Sequence, residues 1–192
     1  FYRVDYNYAM LLYPPRVDSF EIRLLKLHRD AAELVGELSI DTVLERIPAI
    51  ALKRTGASYA AVGTLDEAGN IDRFVTAGLP RAQVDLMPHP PRGEGLIKAT
   101  MDTRTSIRVA NISRDPRHSS FPAPHPKMTS LLGTPIFQGT RQIGMLYVTD
   151  RINAPEFTDE DQVLAEILAR YAAVAIVNAR LFRDYAMRDR TL

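Results

Sequence analysis

The chain has 192 residues, 46% of them hydrophobic, with 24 Lys+Arg against 23 Asp+Glu and no cysteine. That length suffices for one compact core, and a net charge of +1 gives no electrostatic case for nucleic-acid binding. The lack of cysteine excludes disulfides, thiolate catalysis, cysteine zinc sites and thioether-linked cofactors. No signal-peptide pattern and no apolar run near the roughly 20 residues of a membrane span is read, so a soluble, cytoplasmic domain is expected.

In chain order, residues 1–19 are tyrosine-rich, carry Pro14-Pro15 and read as an N-terminal extension. A helix is predicted after Asp18-Ser19, either of which can cap it. Its apolar positions Phe20, Leu24, Leu27, Ala31, Leu34 and Leu38 alternate spacings of four and three, the seam of a helix packed along another helix. A second helix follows from Asp41, a plausible cap, to Thr55, where Gly56 stops it. Residues 58–65 and 71–77 form a hairpin around Asp66-Glu67-Ala68-Gly69-Asn70. Residues 78–92 are a proline-broken connection, 95–100 a short helix and 106–109 a short strand.

A polar, proline-rich loop spans 110–130; loops of this length in compact domains are often binding loops or lids. Within it, His125 stands in Phe121-Pro122-Ala123-Pro124-His125-Pro126, where the prolines present the ring at low entropic cost. Residues 131–138 and 142–151 read as a second hairpin. In its second strand, Ile143, Met145, Tyr147 and Thr149 share one face. Thr158 opens a long last helix to about residue 185, with Asp161 completing a capping box.

The last helix carries two apolar stripes. Leu164, Leu168, Tyr171, Ala175, Asn178, Phe182 and Tyr185 form one; Val163, Ile167, Val174, Val177 and Leu181 form the other. With the seam of the first helix, this predicts that the terminal helices pack together and form a homodimer bundle through Leu24, Leu27, Leu34, Leu164, Leu168, Tyr171 and Phe182, with Asn178 helping to set register. A single broad buried face on a monomer is the alternative.

This order of elements resembles a GAF domain, an α/β (α+β) fold with a central antiparallel sheet flanked by helices. The residues that carry the resemblance, over about 25–183, are Gly78-Leu79-Pro80, Pro91-Arg92-Gly93-Glu94-Gly95-Leu96, Leu132-Gly133-Thr134-Pro135-Ile136, Gly144-Met145-Leu146-Tyr147, Phe157-Thr158-Asp159-Glu160-Asp161 and Asn178-Ala179-Arg180-Leu181. On this basis 20–183 is the domain and 184–192 the start of a linker helix to an output domain. The run Phe121–Asp150 is similar to the GAF domains of bacterial sensor histidine kinases, in particular mycobacterial dormancy oxygen and redox sensors.

That resemblance implies a two-component sensor whose loop histidine, here His125, ligates haem b iron, and whose strand tyrosine, here Tyr147, faces a diatomic gas (O2, NO or CO). Pro124 stands where haem-binding relatives often have a second histidine. Phe121, Met128, Leu131, Leu132 and Met145 would line the pocket under the 110–130 loop. Other readings remain: His125 organising the loop over a pocket for a non-haem small molecule, or a ligand-free dimerisation and scaffolding domain. His89 and His118 match no metal-binding spacing with His125, His28 lies on the charged side of the first helix, and Gly93-Glu94-Gly95 lacks the residues of a phosphate loop. No catalytic constellation is present, and the GAF-type methionine sulfoxide reductases depend on cysteines that this chain lacks, so no enzyme is expected.

Overall fold

A serine precedes each of the first two helices. Helix α1 (Phe20–Val35) follows Ser19 and helix α2 (Ile40–Thr55) follows Ser39. These ranges come from a computed structural model, which describes residues 19–80, 82, 84, 93–119 and 127–189. The Ser39 hydroxyl accepts the Thr42 N–H at 3.3 Å, so α2 starts ahead of the expected Asp41. Gly56 ends it at φ +68°, its N–H on the Leu52 carbonyl at 3.0 Å, a left-handed cap that a side chain would strain.

Strands β1 (Ala57–Leu65) and β2 (Ile71–Ala77) follow, their turn tied by the Asn70 N–H on Asp66 Oδ1 at 2.8 Å. Then come α3 (Gly95–Asp102), β3 (Ile107–Val109), a 3-10 turn at Ile112–Arg114, β4 (Leu131–Gln138), β5 (Arg141–Arg151) and α4 (Asp159–Asp189). The five strands form one antiparallel sheet in the order β2-β1-β5-β4-β3.

Both faces of this sheet are apolar. On one, Val62, Leu132, Leu146 and Val148 meet α1, α2 and α4, which contribute Leu34, Ile47 and Leu168 among others. On the other, Tyr59, Ala61, Leu131, Met145 and Tyr147 pack with Leu96 of α3 and with Met128. A register shift between Ile136 and Phe137 leaves Ile143 outside the ladder. Ile143 therefore joins the helix-side core and not the face of Met145 and Tyr147, contrary to simple alternation.

The expected dimer seam needs correction. Leu27, Leu34, Leu164 and Leu168 are fully buried inside the single chain, where α1 and α4 pack on each other and on the sheet. Their heptad spacing thus encodes an intramolecular seam. Asn178 fits that reading, since its amide donates to the Val35 carbonyl at 3.4 Å. Leu24 and Tyr171 are half-buried against the same core, and the Tyr171 hydroxyl lies 2.9 Å from His28 Nδ1. Of the predicted interface residues, only Phe182 is largely exposed. An 18-residue window of α4 has mean hydropathy 1.3, apolar enough by composition to cross a membrane. Half of that window is buried in the fold, against β4, β5 and the other helices.

The start of α4 is pinned by charge. The capping box forms as predicted: the Asp161 N–H donates to Thr158 Oγ1 at 3.2 Å, and the Thr158 N–H to Asp161 Oδ2 at 3.0 Å. Asp161 is fully buried, and its carboxylate also takes Arg151 Nε at 2.6 Å and the Arg23 guanidinium. Arg23 in turn donates to the Arg54 carbonyl at 3.1 Å, and Arg54 pairs with Asp30. Burial alone would raise the Asp161 pKa; the Thr158 N–H and the two guanidiniums outweigh it and hold the carboxyl below the usual range.

Candidate functional site

The second sheet face is the candidate site. An antiparallel sheet commonly leaves one face to water. Here that face carries Tyr59, Ala61, Leu131, Met145 and Tyr147, and among the described residues the short helix α3 packs over it. Its methionines, Met101, Met128 and Met145, are adaptable side chains suited to irregular occupants.

Tyr147 sits where β5 pairs with Gly133 of β4. A Cβ at Gly133 would lie 2.5 Å from Thr100 Oγ1 and 3.2 Å from Tyr147 Cε1, so only glycine lets α3 descend this close to the sheet. The Tyr147 hydroxyl donates to the Ile97 carbonyl of α3 at 3.1 Å. Burial pushes its pKa far up, which the Thr100 hydroxyl offsets only in part, so the phenol stays protonated and a donor. The Tyr59 phenol is pushed up for the same reason, burial.

Thr149 continues this face of β5, opposite Tyr59 on one side and Leu131 on the other. Its hydroxyl is buried and has no hydrogen-bond partner among the described residues. The Thr64 hydroxyl shares that property. A buried hydroxyl without a partner loses the bond it made to water, so each is a place where a ligand or water would be stabilised. Next to Thr149, Asp150 adopts φ +55°, and its Oδ1 accepts the N–H groups of Thr129 at 2.6 Å and Ser130 at 3.3 Å. This carboxylate fastens the C-terminal end of the 110–130 loop to the sheet.

Of the sequence-predicted site residues, Met128, Met145 and Tyr147 come together on this face. Leu132 does not: strand alternation sends it into the helix-side core, and Leu131 takes the site-facing position. Phe121, His125 and also His89 lie outside the described residues. Among the described residues no cluster of His, Asp or Glu is placed to hold a metal ion. A distal role at haem asks Tyr147 to offer its hydroxyl to open space. Its commitment to Ile97 under α3 does not fit that role. Sequence reasoning missed Thr100, Gly133 and Asp150 as determinants of the site. The signal present was the Leu-Gly-Thr-Pro run, whose glycine faces Tyr147 across the ladder.

The family model described as the GAF domain matches residues 37–177. Among solved structures, the GAF domain of a phosphoenolpyruvate-protein phosphotransferase from Coxiella burnetii superposes with TM-score 0.73 at 21% identity, covering 85% of this chain and 98% of that one. The free methionine-R-sulfoxide reductase of Neisseria meningitidis gives TM-score 0.68 at 16% identity, over 88% of this chain and 96% of that one. A methyl-accepting chemotaxis protein fragment, residues 122 to 287, gives 0.63 at 20% identity, over 79% and 97%. At these identities the likeness is one of fold.

Proposed function

Because the chain belongs to the GAF domain family, whose members are generally sensory or ligand-binding, we propose that it is the input domain of a cytoplasmic signalling protein, binding a small molecule on the Tyr59–Met145–Tyr147 face. The observation that carries this reading is the second apolar sheet face, on which the described residues place the short helix α3 and Met128, whereas α1, α2 and α4 pack on the first. β5 supplies a physical link to an output. Met145 and Tyr147 point to the proposed ligand side, while Leu146 and Val148 of the same strand pack on the helix side. A shift of β5 on binding is therefore felt by α4, which leads toward the C-terminus. A ligand biases that helix only through a difference in affinity between two arrangements. The output this helix would serve is, by resemblance, a histidine kinase.

The ligand we infer is a non-haem small molecule, because Tyr147 is engaged with α3; haem with a diatomic gas is the competing ligand. A second reading, a ligand-free dimerisation domain, draws on the same satisfied Tyr147 hydroxyl. Thermal-shift screening against a metabolite library, with haem reconstitution as one arm, separates the three. A compound that stabilises wild type but not Met145→Phe supports the proposed site. A Soret band that disappears in His125→Ala establishes haem instead. No stabilising compound and no Soret band leaves the dimerisation domain. For the assembly, we propose a homodimer through the outward stripe of α4, where Leu181 is 64% and Tyr185 70% exposed.

A further inference from the structure

The helix side of the sheet holds a cleft that the sensory reading does not use. Where α4 passes the outer part of β4, a space of about 310 Å3 is lined by Arg104, Ser106, Thr134, Phe137, Glu166 and Arg170, with Pro135 and Ala169 beside them. Pockets for small ligands begin at about this size.

The chain builds the cleft from three directions. The link from α3 to β3 brings Arg104 across the sheet edge, where Nη2 donates to the Thr140 carbonyl at 3.1 Å. Its guanidinium carbon lies over the Phe137 ring, 4.7 Å from the centroid, so the cation rests against an aromatic wall. The Ser106 hydroxyl donates to Glu166 Oε1 at 2.8 Å and lies 3.3 Å from Thr134 Oγ1. Gln162 Nε2 donates to the same Glu166 oxygen at 3.0 Å. Arg170 of α4 is exposed, and its side chain makes no hydrogen bond or ion pair among the described residues. Two arginines thus line the cleft together with one carboxylate whose Oε1 already takes two donors from the protein.

We propose that this cleft is a second ligand site, for a small organic anion whose carboxylate or phosphate is held by Arg104 and Arg170 and whose apolar body rests against Phe137 and Pro135. A guanidinium fork matches the paired oxygens of either group. Arg104 hangs from the sheet edge and Arg170 from α4, so an occupant bridges the two. It would tie the output helix to the sheet from the face opposite Tyr147, giving α4 a second input.

Amide chemical shifts followed during titration with benzoate, phenyl phosphate and inorganic phosphate test this. The proposal expects saturable shifts at Ser106, Thr134 and Arg170 with a millimolar Kd for benzoate or phenyl phosphate, which of the two binds tighter identifying the anion. Inorganic phosphate is expected to bind more weakly. Arg104→Gln and Arg170→Gln should each weaken binding about tenfold, as for loss of a charge-assisted hydrogen bond. Both arginines are exposed, so an unchanged Tm shows that the fold is kept. No saturable shift with either organic anion, shifts that persist in the double variant, or inorganic phosphate binding as tightly would overturn the proposal. Neither substitution touches the Tyr147 face, so a failure here is distinct from a failure of the sensory reading.

Discussion

Replacing Asp161 by alanine tests whether buried charge, and not apolar packing alone, holds the start of α4. The substitution removes the acceptor of the Thr158 N–H, a cap worth about 1 kcal/mol. It also strands Arg23 and Arg151, and breaking a buried ion pair costs about 3–5 kcal/mol. The two arginine side chains keep 14% and 21% of their surface, so water recovers part of that cost. The loss should therefore be about 3–4 kcal/mol in urea denaturation, or a Tm lower by about 10 °C for a domain of this size. Asp161→Asn keeps the shape and isolates the charge. Because the folded pKa of Asp161 lies below its unfolded value, its contribution is full above that unfolded value and is lost as pH falls through the folded one. The stability gap between wild type and Asp161→Asn should thus be constant near neutral pH and close below about pH 4. A gap under about 1 kcal/mol at neutral pH, or one that widens on acidification, would refute the reasoning.

Three other substitutions bear on the packing. Gly133→Ala places a methyl against Thr100 and Tyr147, and should cost about 1–3 kcal/mol while speeding amide exchange in α3; unchanged exchange there would show that α3 does not rest on this glycine. Leu168→Asp should unfold the chain, because it puts a charge in the core, whereas Leu181→Asp should leave Tm unchanged and abolish a dimer seen by sedimentation. A folded, monomeric Leu168→Asp would return the seam to the subunit interface. Asp150→Asn should be nearly neutral, since asparagine tolerates positive φ and keeps an acceptor for Thr129 and Ser130, while Asp150→Ala should lose about 1–2 kcal/mol in denaturation.

The order of elements was legible because hydrophobic period and turn chemistry are local. β2 and β4 have the predicted limits, and Gly56 and the Thr158–Asp161 box act as read. What failed was partner assignment. Leu27, Leu34, Leu164 and Leu168 have the spacing of a helix-to-helix seam, but spacing does not say whether the second helix belongs to the same chain. Face assignment failed at Ile143, where one irregular step in the ladder reverses alternation, and at Leu132, which adjoins the site in sequence but points away from it. The roles of Gly133 and Thr100 were hidden because they arise from the close approach of α3 to β4, a contact between segments with no shared periodicity.

Hydrogen exchange tests the central claim most directly, measured with and without a compound that raises the Tm of the wild-type protein. Binding on the second sheet face predicts slower exchange in α3 and in β5 around Met145–Thr149, a change that reaches α4, and loss of all three effects in Met145→Phe. Protection confined to other surfaces, or protection of α3 and β5 that Met145→Phe leaves intact, would contradict the assignment of this face as the sensory site.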